Sequence, residues 1–269
     1  DLLLTASGDR PVTWLALLNR DDNPEAAQES LKRVAPLLAR GAIPQVTCRP
    51  LTVQIDLRSP FIFANLAFWN PVFQKPVAEQ MKYYRDPAFR DAFREELKRP
   101  KIFGGKWERL IVHEVGNPAL NALVGRSVQD VARERGKDGV DTFLDLACED
   151  NLAMQFTYEA FNADEKRIPE LITDPRTMIG LSDGGAHVDM LCDAGYTTYL
   201  LGTWVRDQQA MTLEHAVKRI TTDPARVFGI TDRGRIAPGL AADFAIFDLA
   251  SVGSSKRGTM VNDLPGGGR

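Results

Sequence analysis

Histidine and cysteine are both scarce here, with three of each in 269 residues. Cys48, Cys148 and Cys192 are odd in number, far apart and without a CxxC pair. That excludes a disulfide framework and a cysteine-based zinc site, and reads as reduced, mostly buried thiols of a cytoplasmic protein. His113, His187 and His215 form no HxH or HExxH, so neighbouring pairs cannot build a multi-histidine metal site. No apolar run approaches the roughly 18 residues of a membrane span. The opening DLLLTASGDR has no basic segment before its short apolar run, so no secretory signal is visible. A charge excess is missing too: 33 Lys+Arg face 36 Asp+Glu, net −3. That argues against a nucleic-acid binder working through a broad positive field. Neither nucleic acid nor membrane is an expected partner.

What remains is an ordinary globular composition, 44% apolar and 26% charged. Pro11–Leu18 (PVTWLALL) reads as a strand, followed by the polar loop Asn19–Asn23. Glu25–Ala39 has helical spacing ending at Gly41, with Pro36 predicting a kink or early stop, and Ala42–Cys48 is the next strand. Strand, loop, helix, glycine, strand is a βαβ unit and implies a parallel sheet. The aromatic and basic stretch Pro60–Lys106 breaks that rhythm. Rings among basic residues can stack the bases of a single-stranded nucleic acid. Interleaved acids favour an amphipathic insertion packed on a scaffold, and such a loop over a barrel could form part of a substrate pocket. Further strands are expected at Arg109–Val115, Leu152–Tyr158 and Thr177–Leu181. Helices are expected at Ser127–Gly136, Asp141–Asp150, Ala163–Ile172, Ala194–Arg206 and Thr212–Thr221, the last capped by Thr212. Ala242–Leu249 (ADFAIFDL) alternates like antiparallel β.

The stretch most suggestive of chemistry is Met178–Asp189, MIGLSDGGAHVD. A buried strand ends at Ser182-Asp183, and in an α/β barrel a strand's C-terminal end opens on the active site. A carboxylate there can bind a metal and take a proton from its water, or it can merely cap a turn, and spacing alone allows both. Gly180-Leu181-Ser182-Asp183-Gly184 is also a literal GxSxG, which would make Ser182 a nucleophile with His215 as base. His113, at a strand end, is better explained by hydrogen bonding than by a metal.

Three segments carry a family resemblance: GRSVQDVARERGKDGVDTFLDL from Gly125, TDPRTMIGLSDGGAH from Thr173, and LEHAVKRITTDPARVFGITDRGRIAPGLAADFAIFDLASV from Leu213. Over about Leu123–Val252 the sequence resembles the amidohydrolase superfamily, in its N-acyl-D-amino-acid deacylase (D-aminoacylase) branch. The resemblance implies a metal-dependent (β/α)₈-barrel hydrolase that cleaves a non-peptide amide C–N bond of an N-acyl-(D-)amino acid or related small amide. Asp183 falls on the family's general base and acid, beside or bound to a divalent metal, zinc first. His187, Arg49 and Asn19 are implied as substrate contacts. The family's metal-binding histidines near the fifth and sixth strand ends have no counterpart in VTWLALLN and PQVTCRP, which offer Asn19, Cys48 and Arg49. The remaining metal ligands are expected outside this segment. A protein that has lost its metal ligands and only binds is the non-catalytic alternative.

The expected fold is therefore α/β: the C-terminal half of a (β/α)₈ TIM barrel with part of the small β-sandwich domain. The barrel part is placed at 1–229 with the insertion at about 57–107, and the return into the sandwich at 230–269. Counting strands this way gives about four of eight, so the chain is expected to lack an N-terminal portion. Its partner is a small-molecule amide, and a homo-oligomer is compatible with it.

Overall fold

The computed structural model describes residues 1–8, 10–99, 103–184, 190–258 and 261. They divide into two units: residues 1–51, 161–188 and 192–269, and residues 52–160 and 189–191. Among the described residues, six strands are shared between two three-stranded sheets. Among the described residues no helix is long and apolar enough to cross a membrane.

The first unit is built on a parallel sheet of β1 (Val12–Trp14), β2 (Ala42–Val46) and β6 (Met178–Ile179), in the order β1-β2-β6. Val12 pairs with Ala42 and Gln45 with Met178, both in parallel. The connection from β1 to β2 is the helix Ala26–Leu38, as the βαβ reading expects. That helix continues only two residues past Pro36, so the proline falls in its last turn and the helix stops soon after it. Its Ala27 and Leu31 join Val46, Ile179, Ile172, Leu200, Trp204 and Ala216 in the core. The expected helix at 194–206 is instead a short α-helical turn, Tyr196–Tyr199, continued by a π-helical segment, Leu200–Asp207.

Arg219, on the helix Leu213–Ile220, is only 2% exposed. All five of its N–H donors find acceptors: the Ile172, Asp174 and Thr177 carbonyls, the Thr177 hydroxyl and the Asp223 carboxylate, at 2.7–3.2 Å. This clamp fixes the turn that leads into β6. Thr212 caps the helix as expected, accepting a bond from the His215 amide.

The second unit has its own sheet, β3 (Leu51–Asp56), β5 (Gln155–Phe161) and β4 (Leu110–Glu114), in the order β3-β5-β4. β4 and β5 are antiparallel, with Ile111 opposite Thr157 and Val112 opposite Phe156. These strands form a sheet of their own and do not extend the parallel sheet. The expected insertion lies inside this unit. Phe63, Trp69, Tyr84 and Phe93 are buried, and Phe63 stacks on Trp69 with ring centroids 4.3 Å apart. Phe103, Phe143 and Tyr158 complete the cluster, so these rings pack against one another, as the amphipathic reading expects. Charges stay at its rim: Arg90 bridges Asp141 and Asp145, and Arg94 pairs with Asp138. Asp86, Ser127 and Asp138 cap the helices that follow them.

The antiparallel strand expected at Ala242–Leu249 is not formed; residues 242–248 carry no regular structure and Ile246 is 98% exposed. No described strand lies alongside to accept its hydrogen bonds, and a lone strand is not stable in water.

The Arg219 clamp gives a first test. Arg219→Met takes the guanidinium away from the Ile172 and Thr177 carbonyls and from the Asp223 carboxylate, so it is expected to cost about 3–5 kcal/mol, read from the urea midpoint. A loss below about 1 kcal/mol would mean that those acceptors find other donors.

Candidate active site

Three of the sequence-predicted residues lie just beyond the C-terminal ends of the parallel strands: Asn19 after β1, Arg49 after β2 and Asp183 after β6. Ligands of open and closed α/β sheets gather at that edge. His187 lies outside the described residues. His113 sits on β4, in the second unit.

Asp183 adopts a left-handed backbone conformation, φ 45°, which Asp tolerates better than most residues. The Gly184 amide approaches the Ser182 hydroxyl oxygen at 3.4 Å, and the Asp193 amide donates to the Ser182 carbonyl at 2.6 Å. A nucleophile elbow puts the strain on the serine itself and runs straight into a helix. Here the left-handed residue is Asp183, Leu181–Gly184 are irregular, and the next described helix begins at Tyr196. No hydrogen bond joins Ser182 to His215 among the described residues. Among the described residues the motif shows neither a left-handed serine nor a bond to His215.

Asn19 and β2 are tied together by Asn162, which sequence reasoning missed. Asn162 is fully buried with φ 53°. Its side-chain oxygen accepts from the Asn19 amide at 2.8 Å, and its own amide returns a bond to the Asn19 carbonyl at 3.0 Å. Its side-chain nitrogen reaches the Thr47 and Arg49 carbonyls at 3.3 and 3.5 Å. One side chain thus fixes the exits of two neighbouring strands. The Asn19 side chain is itself buried, and its Nδ2 has no hydrogen-bond partner among the described residues.

Arg49, expected to meet a substrate carboxylate, is enclosed instead. It is buried, and its Nε lies 3.0 Å from Oδ1 of Asp193, an ion pair whose alignment falls short of a hydrogen bond. Its Nη2 donates to the Ser255 and Lys256 carbonyls at 3.1 and 2.8 Å, and its guanidinium stands over the Tyr199 ring. Its charge is spent inside the protein, which corrects its assignment as a substrate contact. Asp193 was not predicted; the signal available was a lone carboxylate in the run MLCDAGY. It is 2% exposed, with Oδ2 unpartnered among the described residues. Burial pushes its carboxyl up to about 7; nearby Arg49 opposes that shift and Asp183 adds to it.

The resemblance implies a divalent metal, and the described residues do not fit one by themselves. No three of their His, Cys, Asp and Glu side chains converge. The end of β2 carries a guanidinium, which repels a cation. The Cys48 thiol, pushed up to about 12 by burial, stays protonated and bonded to the Tyr196 carbonyl.

The profile of the amidohydrolase family matches residues 91–262. An uncharacterized protein of Mycobacterium bovis is 30% identical over 190 residues, covering 67% of this chain and 30% of that protein. The N-acyl-D-glutamate deacylase of Alcaligenes xylosoxydans xylosoxydans is 40% identical over 95 residues, 34% of this chain and 19% of that enzyme. The chain thus spans less than a third of the length of these curated relatives. Among solved structures, the N-acyl-D-glutamate deacylase of Bordetella bronchiseptica, complexed with zinc and a phosphonate inhibitor, is similar in fold. Its TM-score is 0.50 at 21% identity, over 96% of this chain and 44% of that one.

Two measurements follow. Asn19→Ala and Arg49→Lys are expected to leave the metal content of the full-length protein unchanged by elemental analysis; a fall in either would make that residue a ligand. The raised Asp193 carboxyl favours its protonated form in the folded state, so its contribution is complete below about pH 4 and is lost as pH rises through about 7. Relative to Asp193→Asn, the native protein should therefore lose stability as pH rises from 4 to 8. A difference independent of pH contradicts this.

Proposed function

This chain belongs to the amidohydrolase family, and from that premise we propose that it is of the D-aminoacylase-like branch and carries the proton-transfer half of an amide-hydrolysing site. The observation that carries the reading is the place of Asp183: just past β6, at the C-terminal edge of a parallel sheet, inside the segment that the family profile matches. We read that sheet as an arc of a (β/α)₈ barrel.

The chemistry is water attack on a non-peptide amide. The Asp183 carboxylate accepts a proton as the water oxygen bonds to the carbonyl carbon. It returns that proton to the nitrogen as the C–N bond breaks, leaving a carboxylic acid and an amine. Asn19 is the donor at the same edge suited to the carbonyl oxygen, because its buried Nδ2 has no other partner among the described residues. The substrate class is a small N-acyl-(D-)amino acid or related amide. Zinc is the first candidate for a divalent cofactor of the whole protein. The described residues do not supply its ligand set.

The test is amine release from a panel of N-acetyl-D- and N-acetyl-L-amino acids by the full-length protein. Asp183→Asn is expected to lower kcat by roughly 10²–10⁴-fold, the usual worth of general acid–base catalysis. Ser182→Ala is expected to turn over at near the native rate. The opposite pattern would establish the serine-hydrolase reading, and a native protein that binds but never cleaves these amides would establish the non-catalytic one.

A further inference from the structure

We infer that Arg49 and Asp193 are positioning residues for Asp183, joined in a relay that runs from the chain at Ser254–Lys256 to the loop after β6. The inference rests on the reading of Asp183 as the proton-transfer group.

The relay begins at the backbone. Arg49 Nη2 is anchored on two consecutive carbonyls, Ser255 and Lys256, and Ser254 Oγ donates to the Gly195 carbonyl at 2.9 Å. Arg206 holds the preceding stretch, donating from Nη1 to the Val252 carbonyl at 2.6 Å and to that of Leu249 at 3.2 Å. Lys256 pairs with Glu165 at 2.6 Å. Two glycines make this approach possible. A Cβ on Gly202 would lie 2.6 Å from the Val252 carbonyl oxygen, and one on Gly195 would lie 3.0 Å from Ser254 Oγ and 3.3 Å from Arg49 Nη1. An irregular segment is thus held in register by two guanidinium groups.

The relay then passes through the ion pair. Arg49 Nε holds Asp193 Oδ1 at 3.0 Å, both groups being buried. The Asp193 backbone amide in turn holds the Ser182 carbonyl at 2.6 Å, and that carbonyl belongs to the peptide that leads into Asp183. Moving Asp193 therefore moves the backbone immediately before a residue held in the left-handed region, φ 45°. A displacement near 1 Å at a reacting group can cost about 100-fold in rate. Stability alone explains the pair poorly, because a buried ion pair contributes little over well-packed apolar groups of the same size.

That last point supplies the test. Arg49→Met/Asp193→Leu removes both charges together, so no charge is left buried alone and the protein is expected to fold with a thermal midpoint close to native. Its kcat on the best N-acetyl-D-amino acid is expected to fall about 100-fold with KM little changed. Exchange of the backbone amide at position 193 with deuterium should accelerate. Arg49→Lys, which keeps the charge and the Asp193 contact but loses the fork onto Ser255 and Lys256, should recover part of kcat. Native kcat in the double variant while Asp183→Asn is inactive overturns the relay and leaves the reading of Asp183 intact. An active Asp183→Asn overturns that reading, and amide exchange then decides the relay separately: unchanged protection of Asp193 ends it. Should the double variant not fold, Arg49→Lys decides, since a purely structural role moves its thermal midpoint without changing kcat below the transition.

Discussion

The turn that launches β6 determines where the candidate site lies, and Arg219 holds that turn. A guanidinium taken out of water is costly unless each donor is met, and here five acceptors meet five donors. Three of those acceptors are carbonyls of the segment 172–177. Only Asp223 brings a full opposite charge. Burial works against its ionisation, yet hydrogen bonds from Lys218 and Arg219 hold its carboxyl below the usual range. The arginine thus converts an irregular segment into a fixed platform. A two-residue strand such as β6 could not fix its own direction.

The same device recurs along the edge of the parallel sheet. Asn162 locks the exits of β1 and β2, and Asp193 locks the exit of β6. In each case a buried polar side chain or amide satisfies backbone groups that the sheet has stopped pairing. The apolar core around Leu31, Ile179 and Trp204 supplies the cohesion. The polar locks supply the placement. A site assembled at the ends of three strands depends on such locks because no continuous element runs through it.

This division explains what could be read from the sequence. Caps at Asp86, Ser127, Asp138 and Thr212 depend on residues two or three positions away, so local spacing reveals the helices they start. The β1–helix–β2 unit is legible for the same reason, and Asp183 is legible because a buried strand ends beside it. Arg219 was not, since four of its five acceptors lie 42–47 residues upstream and its own helix reads as solvated on its polar face. The antiparallel pairing of β4 with β5 also escaped, because alternation specifies a strand and not its neighbour. ADFAIFDL makes the point most sharply: a period-two pattern is half of an interaction, and without an adjacent strand it leaves Phe244 and Ile246 in solvent.

Charge at the sheet edge narrows the chemistry further. Attack on a neutral amide builds negative charge on the carbonyl oxygen, so the edge needs a donor aimed there and a base that does not compete for it. Arg49 would be the strongest donor, but its guanidinium is occupied by Asp193 and two carbonyls. Had it faced the substrate, it would also have attracted Asp183 and weakened that group as a base. Enclosing the guanidinium behind Asp193 removes this conflict. It leaves a neutral amide, Asn19, for the oxygen and a carboxylate, Asp183, for the proton. Two groups that cannot neutralise each other can serve the two ends of one carbonyl addition, and that is what the proposed hydrolysis asks of this edge.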